Sequence, residues 1–130
     1  MADKSLAGKR ILIVDDQFVN RIIVKEMLKR YDVEITEAGD GGEAVTVVEE
    51  NPPFDIILMD VMMPDVDGLE ATRRIRALSD PSRSSIPVIA MTGDASDEDI
   101  SAALVAGMND HIAKPVDSDI LVEKIYGYIS

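Results

Sequence analysis

The sequence predicts a doubly wound α/β domain, with five parallel strands and helices on both faces of the sheet. Three observations predict it. Short apolar runs alternate with helix-period segments from end to end, as repeated βα units do. Three of the runs, Ile11-Leu12-Ile13-Val14, Ile56-Ile57-Leu58-Met59 and Val88-Ile89-Ala90-Met91, are continuous and mostly β-branched or long aliphatic. That is the pattern of a strand buried on both faces. The other two, Val33 to Ala38 and His111-Ile112-Ala113, are weaker and carry polar residues, so they read as the two edges.

Helices fill the gaps. Val19, Ile22, Ile23 and Met27 share one stripe at helical spacing. Ala44, Val45 and Val48 form a second, stopped by Asn51-Pro52-Pro53. Leu69, Thr72, Ile75 and Leu78 form a third, and Ile100, Ala103 and Leu104 a fourth, which Gly107 closes in a left-handed conformation. Leu121, Ile125 and Tyr128 form the last. Ser96 or Asp97 is expected to cap the fourth helix, and Asp117 or Ser118 the fifth. Ser79 to Pro87 reads as a polar loop. Right-handed crossovers leave few topologies. With the second and fifth runs at the edges, the flavodoxin-like order 2-1-3-4-5 fits, and the functional crevice lies outside the carboxyl ends of the strands.

Composition narrows the function. At 130 residues and 46% apolar content, the chain suits one domain, over residues 9–130 after a polar lead at 1–8. There is no cysteine and one histidine, His111, which excludes disulfides, thiolate metal sites and multi-histidine zinc sites. No apolar run reaches the ~20 residues that span a bilayer, and the N-terminus lacks a signal-peptide core. A cytoplasmic protein without membrane contact is expected. The start Met1-Ala2-Asp3-Lys4 favours a complete small protein over a fragment. A net charge of −12 argues against direct nucleic-acid binding.

The residues at the strand ends form a chemically coherent set. Asp15-Asp16 come after the first strand, Asp60 ends the third, Thr92 the fourth, and Lys114-Pro115 come after the fifth. Parallel strands bring these termini to one rim. Two like charges 4 Å apart cost ~4 kcal/mol at an effective dielectric of ~20. Mg²⁺ relieves such crowding, since it takes carboxylates, waters and phosphate oxygens as ligands. A lysine and a hydroxyl beside it suit a transferring phosphoryl group, and a carboxylate can be the nucleophile. Each residue also has a bland role alone: Asp15-Asp16 as helix caps, Thr92 as a strand end, Lys114 as a turn lysine.

Asp15-Asp16, Asp60 with Met63-Pro64 and Asp67-Gly68, Met91-Thr92-Gly93 and Lys114-Pro115 together resemble the response-regulator receiver domain. The likeness runs from about Lys9 to the C-terminus. In Lys9 to Arg21 and Gly107 to Val116 it is greatest to receivers of hybrid histidine kinases; stand-alone response regulators are the other kind to which the chain is similar. The resemblance implies that Asp60 is the phosphoacceptor. It implies that Asp16, Asp60 and the Met62 backbone carbonyl ligate Mg²⁺, with Asp15 acting mainly through water. Lys114 and Thr92 would hold the phosphoryl oxygens, and the Lys114-Pro115 bond would be cis. The donor would be a sensor histidine kinase or a histidine phosphotransfer protein. The response would be a shift of the surface made by the fourth helix, fifth strand and fifth helix, read by a downstream protein target. Such a chain is a signalling module more than an enzyme. Two residues depart from the family pattern: His111 stands where Tyr or Phe is usual, and Gly93 where Ala is common. Met62 and Asp94 occupy positions that tune phosphoryl lifetime in the family.

Two rivals come from other classes. Gly39-Asp40-Gly41-Gly42-Glu43-Ala44 fits the dinucleotide-binding fingerprint, but that fingerprint belongs after a central apolar strand. A tight Asp-Gly turn explains it better. An aspartyl-phosphate phosphatase needs a general acid near its nucleophile, typically two residues on, where this chain has Met62.

Overall fold

The computed structural model describes residues 6–93 and 96–129. Strands β1 (Arg10–Val14), β2 (Glu34–Ala38), β3 (Ile56–Asp60), β4 (Val88–Thr92) and β5 (Asp110–Ala113) form one parallel sheet in the order β2-β1-β3-β4-β5. Between and after them run α1 (Phe18–Leu28), α2 (Gly41–Glu50), α3 (Gly68–Arg76), α4 (Asp97–Ala106) and α5 (Ser118–Ile129). Fold, strand order and edges are those the sequence predicts. Every residue of β3 and β4 is buried, whereas β2 and β5 each bury one.

Strand side chains alternate between faces and so build two cores. Leu12, Val14, Ile57, Met59, Val88 and Ala90 pack with Ala44 and Val48 of α2, Ala71 and Ile75 of α3 and Ala103 of α4. Ile11, Ile13, Ile56, Leu58, Ile89 and Met91 pack with Val24 and Leu28 of α1 and Leu121 and Ile125 of α5. Burying each large aliphatic side chain contributes ~1.5–3 kcal/mol, which holds the five strand ends in register. Among the described residues no helix is long and apolar enough to cross a membrane.

Several local expectations need correction. The α1 stripe is rotated: Phe18, Val19, Ile22 and Ile23 are exposed, and the helix buries Val24 and Leu28. Leu104 is likewise exposed, while α4 buries only Ala103 and Ala106. Tyr128 is 39% exposed, and its hydroxyl donates to Asn109 O at 3.0 Å. The polar loop from Ser79 contains a helical turn, Pro81–Ser84, capped by Asp80. Leu6, on the lead side of the expected boundary, is buried in the second core.

The caps follow the sequence more closely. Ser96 accepts from Asp99 N, Asp117 Oδ1 accepts from Asp119 N and Ile120 N, and Gly107 adopts φ +109°. The glycine-rich turn before α2 is a cap as well. Asp40 Oδ1 accepts from Glu43 N at 2.7 Å, and Glu43 Oε1 accepts from Gly39 N at 2.6 Å. A Cβ on Gly41 would lie 2.2 Å from Val66 O. That glycine lets a helix approach a loop, and the strand before it is the sheet's edge.

Candidate functional site

Each predicted site residue sits at the end of its strand on one rim. Asp15 follows β1, and its N–H donates to Ala38 O at 3.2 Å. Asp60 closes β3, paired in register with Met91 of β4. Thr92 closes β4 opposite Ala113, and its carbonyl accepts from Lys114 N at 2.8 Å. The Lys114-Pro115 bond is cis. One oxygen from each of Asp15, Asp16 and Asp60 lies within 4.8 Å of the others. Asp15, Asp60 and Thr92 are buried, and Asp16 is half-buried.

The carboxylates differ in what holds them. Asp15 Oδ1 accepts from Gln17 N at 2.8 Å, while its Oδ2 lies 3.3 Å from Lys114 Nζ. The bland role of Asp15-Asp16 as side-chain caps fails, because Gln17 is the N-cap of α1 and makes no capping bond. Asp16 accepts no hydrogen bond from any described residue. Asp60 Oδ1 accepts from Lys114 Nζ at 3.0 Å and Met62 N at 3.4 Å. Its Oδ2 has no such partner, yet no buried side-chain oxygen among the described residues is unpaired.

Burial pushes the Asp60 carboxyl above its usual range; the Asp15 charge adds to the push, and the Lys114 hydrogen bond opposes it. For Lys114 burial works against the charged form, but the hydrogen bond and charge of Asp60, with Asp15 beside it, outweigh this and raise the ammonium's affinity for its proton. Three carboxylates face one ammonium, an excess of two negative charges when all are ionised. A hard divalent cation with oxygen ligands fits that donor set.

Thr92 also borders a small cavity of about 30 Å³, together with Val61, Leu69, Ala90, Ala103 and His111. His111 is half-buried, with Nδ1 3.8 Å from Asp110 Oδ1. Met62 is 77% exposed. A Cβ at Gly93 would meet no atom within 4 Å, so packing does not demand that glycine. Asp94 lies outside the described residues.

Sequence reasoning missed two contributors. Gly68 approaches Asp60 so closely that a Cβ would lie 2.2 Å from Asp60 O; its motif was visible, but the reason for it was not. Arg21 donates through Nη1 to Asp15 O at 2.6 Å. Its signal was its spacing, since Arg21, Val24 and Leu28 share the inward face of α1.

A family model described as the response regulator receiver domain matches residues 11–126. The chain is 40% identical over 126 residues to the CAI-1 autoinducer sensor kinase/phosphatase CqsS of Vibrio cholerae, covering 97% of this chain and 18% of that protein. It is 39% identical over 120 residues to Two-component system protein A of Emericella nidulans, covering 91% and 17%. The chain thus spans less than a fifth of the length of the curated relatives it matches. Among solved structures, it is similar to the receiver domain of sensor histidine kinase PA1611 from Pseudomonas aeruginosa, which has a magnesium ion coordinated in its active site cleft. The identity is 38% and the TM-score 0.85, over 95% of this chain and 98% of that one. It is also similar to a chain in the co-crystal of the Saccharomyces cerevisiae phosphotransfer protein Ypd1 with the receiver domain of Ssk1, at 29% identity and TM-score 0.86, over 95% and 90%.

Proposed function

The chain belongs to the response regulator receiver domain family of two-component systems, and from that footing we propose that Asp60 takes a phosphoryl group from a phosphohistidine with Mg²⁺ bound beside it. The observation that carries this reading is the asymmetry of the Asp60 carboxylate. Oδ1 is held by Lys114 and Met62 N, and no described residue donates to Oδ2. A nucleophile needs that combination: fixed in place, with one oxygen not engaged by a donor.

Asp16, Asp60 and the Met62 backbone carbonyl would ligate the metal, with Asp15 acting through water. When bound, Mg²⁺ offsets the excess negative charge and draws electron density from the phosphoryl oxygens. Asp60 Oδ2 attacks phosphorus, the new P–O bond forms as the P–N bond breaks, and the donor's imidazole nitrogen keeps the electron pair. Lys114 carries its ammonium on a flexible stem from the carboxylate to a phosphoryl oxygen. Thr92 offers its hydroxyl to another. Turnover on external phosphate esters is not expected, because Met62 stands where a phosphatase would hold its acid.

The donor must reach Asp60 from the rim. Phe18 and Val19 are each 63% exposed, and they begin an apolar face, continued by Ile22 and Ile23, two residues beyond Asp16. Such a patch suits a partner, here a histidine kinase or a histidine phosphotransfer protein. Output depends on the cavity beside Thr92. It is small, about 30 Å³, and Asp99, Ile100 and Ala103 of α4 line it opposite the strands. Inward movement of Thr92 and His111 would press on α4. Only two alanines of α4 are buried, so little apolar contact resists a shift of that helix. The α4-β5-α5 surface presented to a downstream protein then changes its populations.

Acetyl phosphate with Mg²⁺ tests the reading. The wild type should gain one acid-stable, base-labile phosphoryl group, and Asp60→Asn none. An unlabelled wild type, or a labelled variant, overturns it.

A further inference from the structure

We infer that Arg21 is a positioning residue for the metal-binding loop, an inference that rests on the Mg²⁺ reading above. Arg21 lies one turn into α1, its backbone N–H donating to Gln17 O at 3.2 Å. Its side chain is only 17% exposed although charged. The guanidinium makes three contacts. Nη1 donates to Asp15 O at 2.6 Å, Nε donates to Glu37 Oε1 at 2.9 Å, and its carbon stands 5.6 Å from the centre of the Phe18 ring.

The anchor is Glu37, which lies opposite Ile13 in the sheet. Lys25 Nζ holds the other Glu37 oxygen at 2.9 Å. The Lys25 hydrogen bond, with Arg21 adding to it against partial burial, keeps the Glu37 carboxyl below its usual range, so it stays ionised at neutral pH. Arg21 thus spans from a fixed charge in β2 to the carbonyl directly before Asp16.

That carbonyl belongs to the peptide plane joining Asp15 to Asp16, so fixing it restrains the backbone from which the Asp16 side chain leaves. Asp15 does not need such help, because Gln17 N and Lys114 hold its carboxylate. Asp16 accepts no hydrogen bond from a described residue, and its aim depends on the backbone. Mg²⁺ tolerates little misplacement of its ligands. Partners that orient ligands typically contribute 10–100-fold in metal affinity. A lysine cannot replace Arg21, since one ammonium on a flexible stem does not reproduce a planar fork aimed at two acceptors.

Calorimetric titration of Mg²⁺, with Mn²⁺ binding followed by electron paramagnetic resonance, tests this at 25 °C on folded protein. Arg21→Ala should bind about tenfold more weakly or worse, and Arg21→Lys nearly as weakly although it keeps the charge. Lys25→Ala, which removes one of the two cations that hold Glu37, should weaken binding less than Arg21→Ala does. A purely structural role would lower the melting temperature and leave the metal constant unmoved; that result overturns the inference. So does a Lys25→Ala defect equal to that of Arg21→Ala. If Arg21→Ala does not fold, Arg21→Lys decides alone. A wild type that ignores Mg²⁺, or an Asp16→Ala variant that binds as tightly as wild type, sinks the underlying reading instead.

Discussion

Gly68 offers a sharp test of how the fold holds the acceptor. It opens α3 directly against the end of β3. An alanine Cβ there would lie 2.2 Å from Asp60 O, with the Asp60 carbonyl carbon and Met59 Cγ both at 3.0 Å. Ordinary contact begins at 3.4 Å, so Gly68→Ala makes the two backbones part by roughly 1 Å, and no rotamer change relieves backbone against backbone. Overpacking of this kind costs ~1–3 kcal/mol, and the better helix propensity of alanine returns at most ~1 kcal/mol. A net loss of ~2 kcal/mol at the upper end corresponds to a melting temperature lower by roughly 6–10 °C for a chain of this size. A 1 Å misplacement of reacting groups costs up to ~100-fold in rate. Thermal unfolding by circular dichroism and intact-mass labelling with acetyl phosphate read the two effects separately. Val48→Ala is the control: it removes methyl groups from the α2 core at ~2 kcal/mol and should label at the wild-type rate. A Gly68→Ala protein with unchanged melting and labelling refutes the contact argument. Equal slowing in Val48→Ala would show that general loosening, not the acceptor's position, sets the rate.

The charges on the rim lead to two further outcomes. Lys114→Ala strips the ammonium from two buried carboxylates at 3.0 and 3.3 Å. Since the lysine is partly exposed, the metal-free loss should be ~1–3 kcal/mol, below the ~3–5 of a fully buried pair. Added Mg²⁺ should then raise the melting temperature of the variant more than that of the wild type; equal shifts would contradict this. The second concerns pH. Burial first, then the Asp15 charge, raise the Asp60 carboxyl above its unfolded value. Its ionisation therefore costs folded-state stability, from zero below about pH 3.9 to its full amount above the folded value. Metal-free Asp60→Asn should be more stable than wild type at neutral pH, with the gap closing as pH falls toward 3–4. A variant less stable throughout would show that the Lys114 bond outweighs burial.

The parts of the fold that were legible in sequence are those buried on both sides. β1, β3 and β4 carry apolar residues at consecutive positions because each face of the sheet is covered, and their ends then place Asp15, Asp60 and Thr92 without further information. α1 misled because it carries apolar residues around more than half its circumference. Periodicity counts apolar residues and cannot tell the stripe that meets the sheet, Val24 and Leu28, from one left exposed, Val19, Ile22 and Ile23. The error concealed Arg21, which shares the inward face with Val24 and Leu28 and is 17% exposed. Close approaches are hidden for a different reason. Gly41 and Gly68 are demanded by Val66 O and Asp60 O, atoms brought near by tertiary packing that no local pattern records.

The same packing bears on the switching proposed for the site. A rim with three carboxylates and one ammonium is electrostatically unfavourable until a cation arrives, and Asp60 is held there by strand burial that no rim charge can undo. The strained quantity is therefore charge, not backbone. Phosphorylation exchanges one carboxylate charge for about two on the phosphoryl group, and the nearest responses are the Lys114 stem and the Thr92 hydroxyl. Thr92 borders a small void between the sheet and α4. Of the helices that cover the sheet, α4 buries little large apolar surface: two alanines, against Val24 and Leu28 in α1 or Leu121, Val122 and Ile125 in α5. A charge change at the rim thus meets least mechanical resistance in one direction. On the proposed function, the rigid strands fix where phosphoryl chemistry would occur, and the lightly anchored helix where its consequence would be felt.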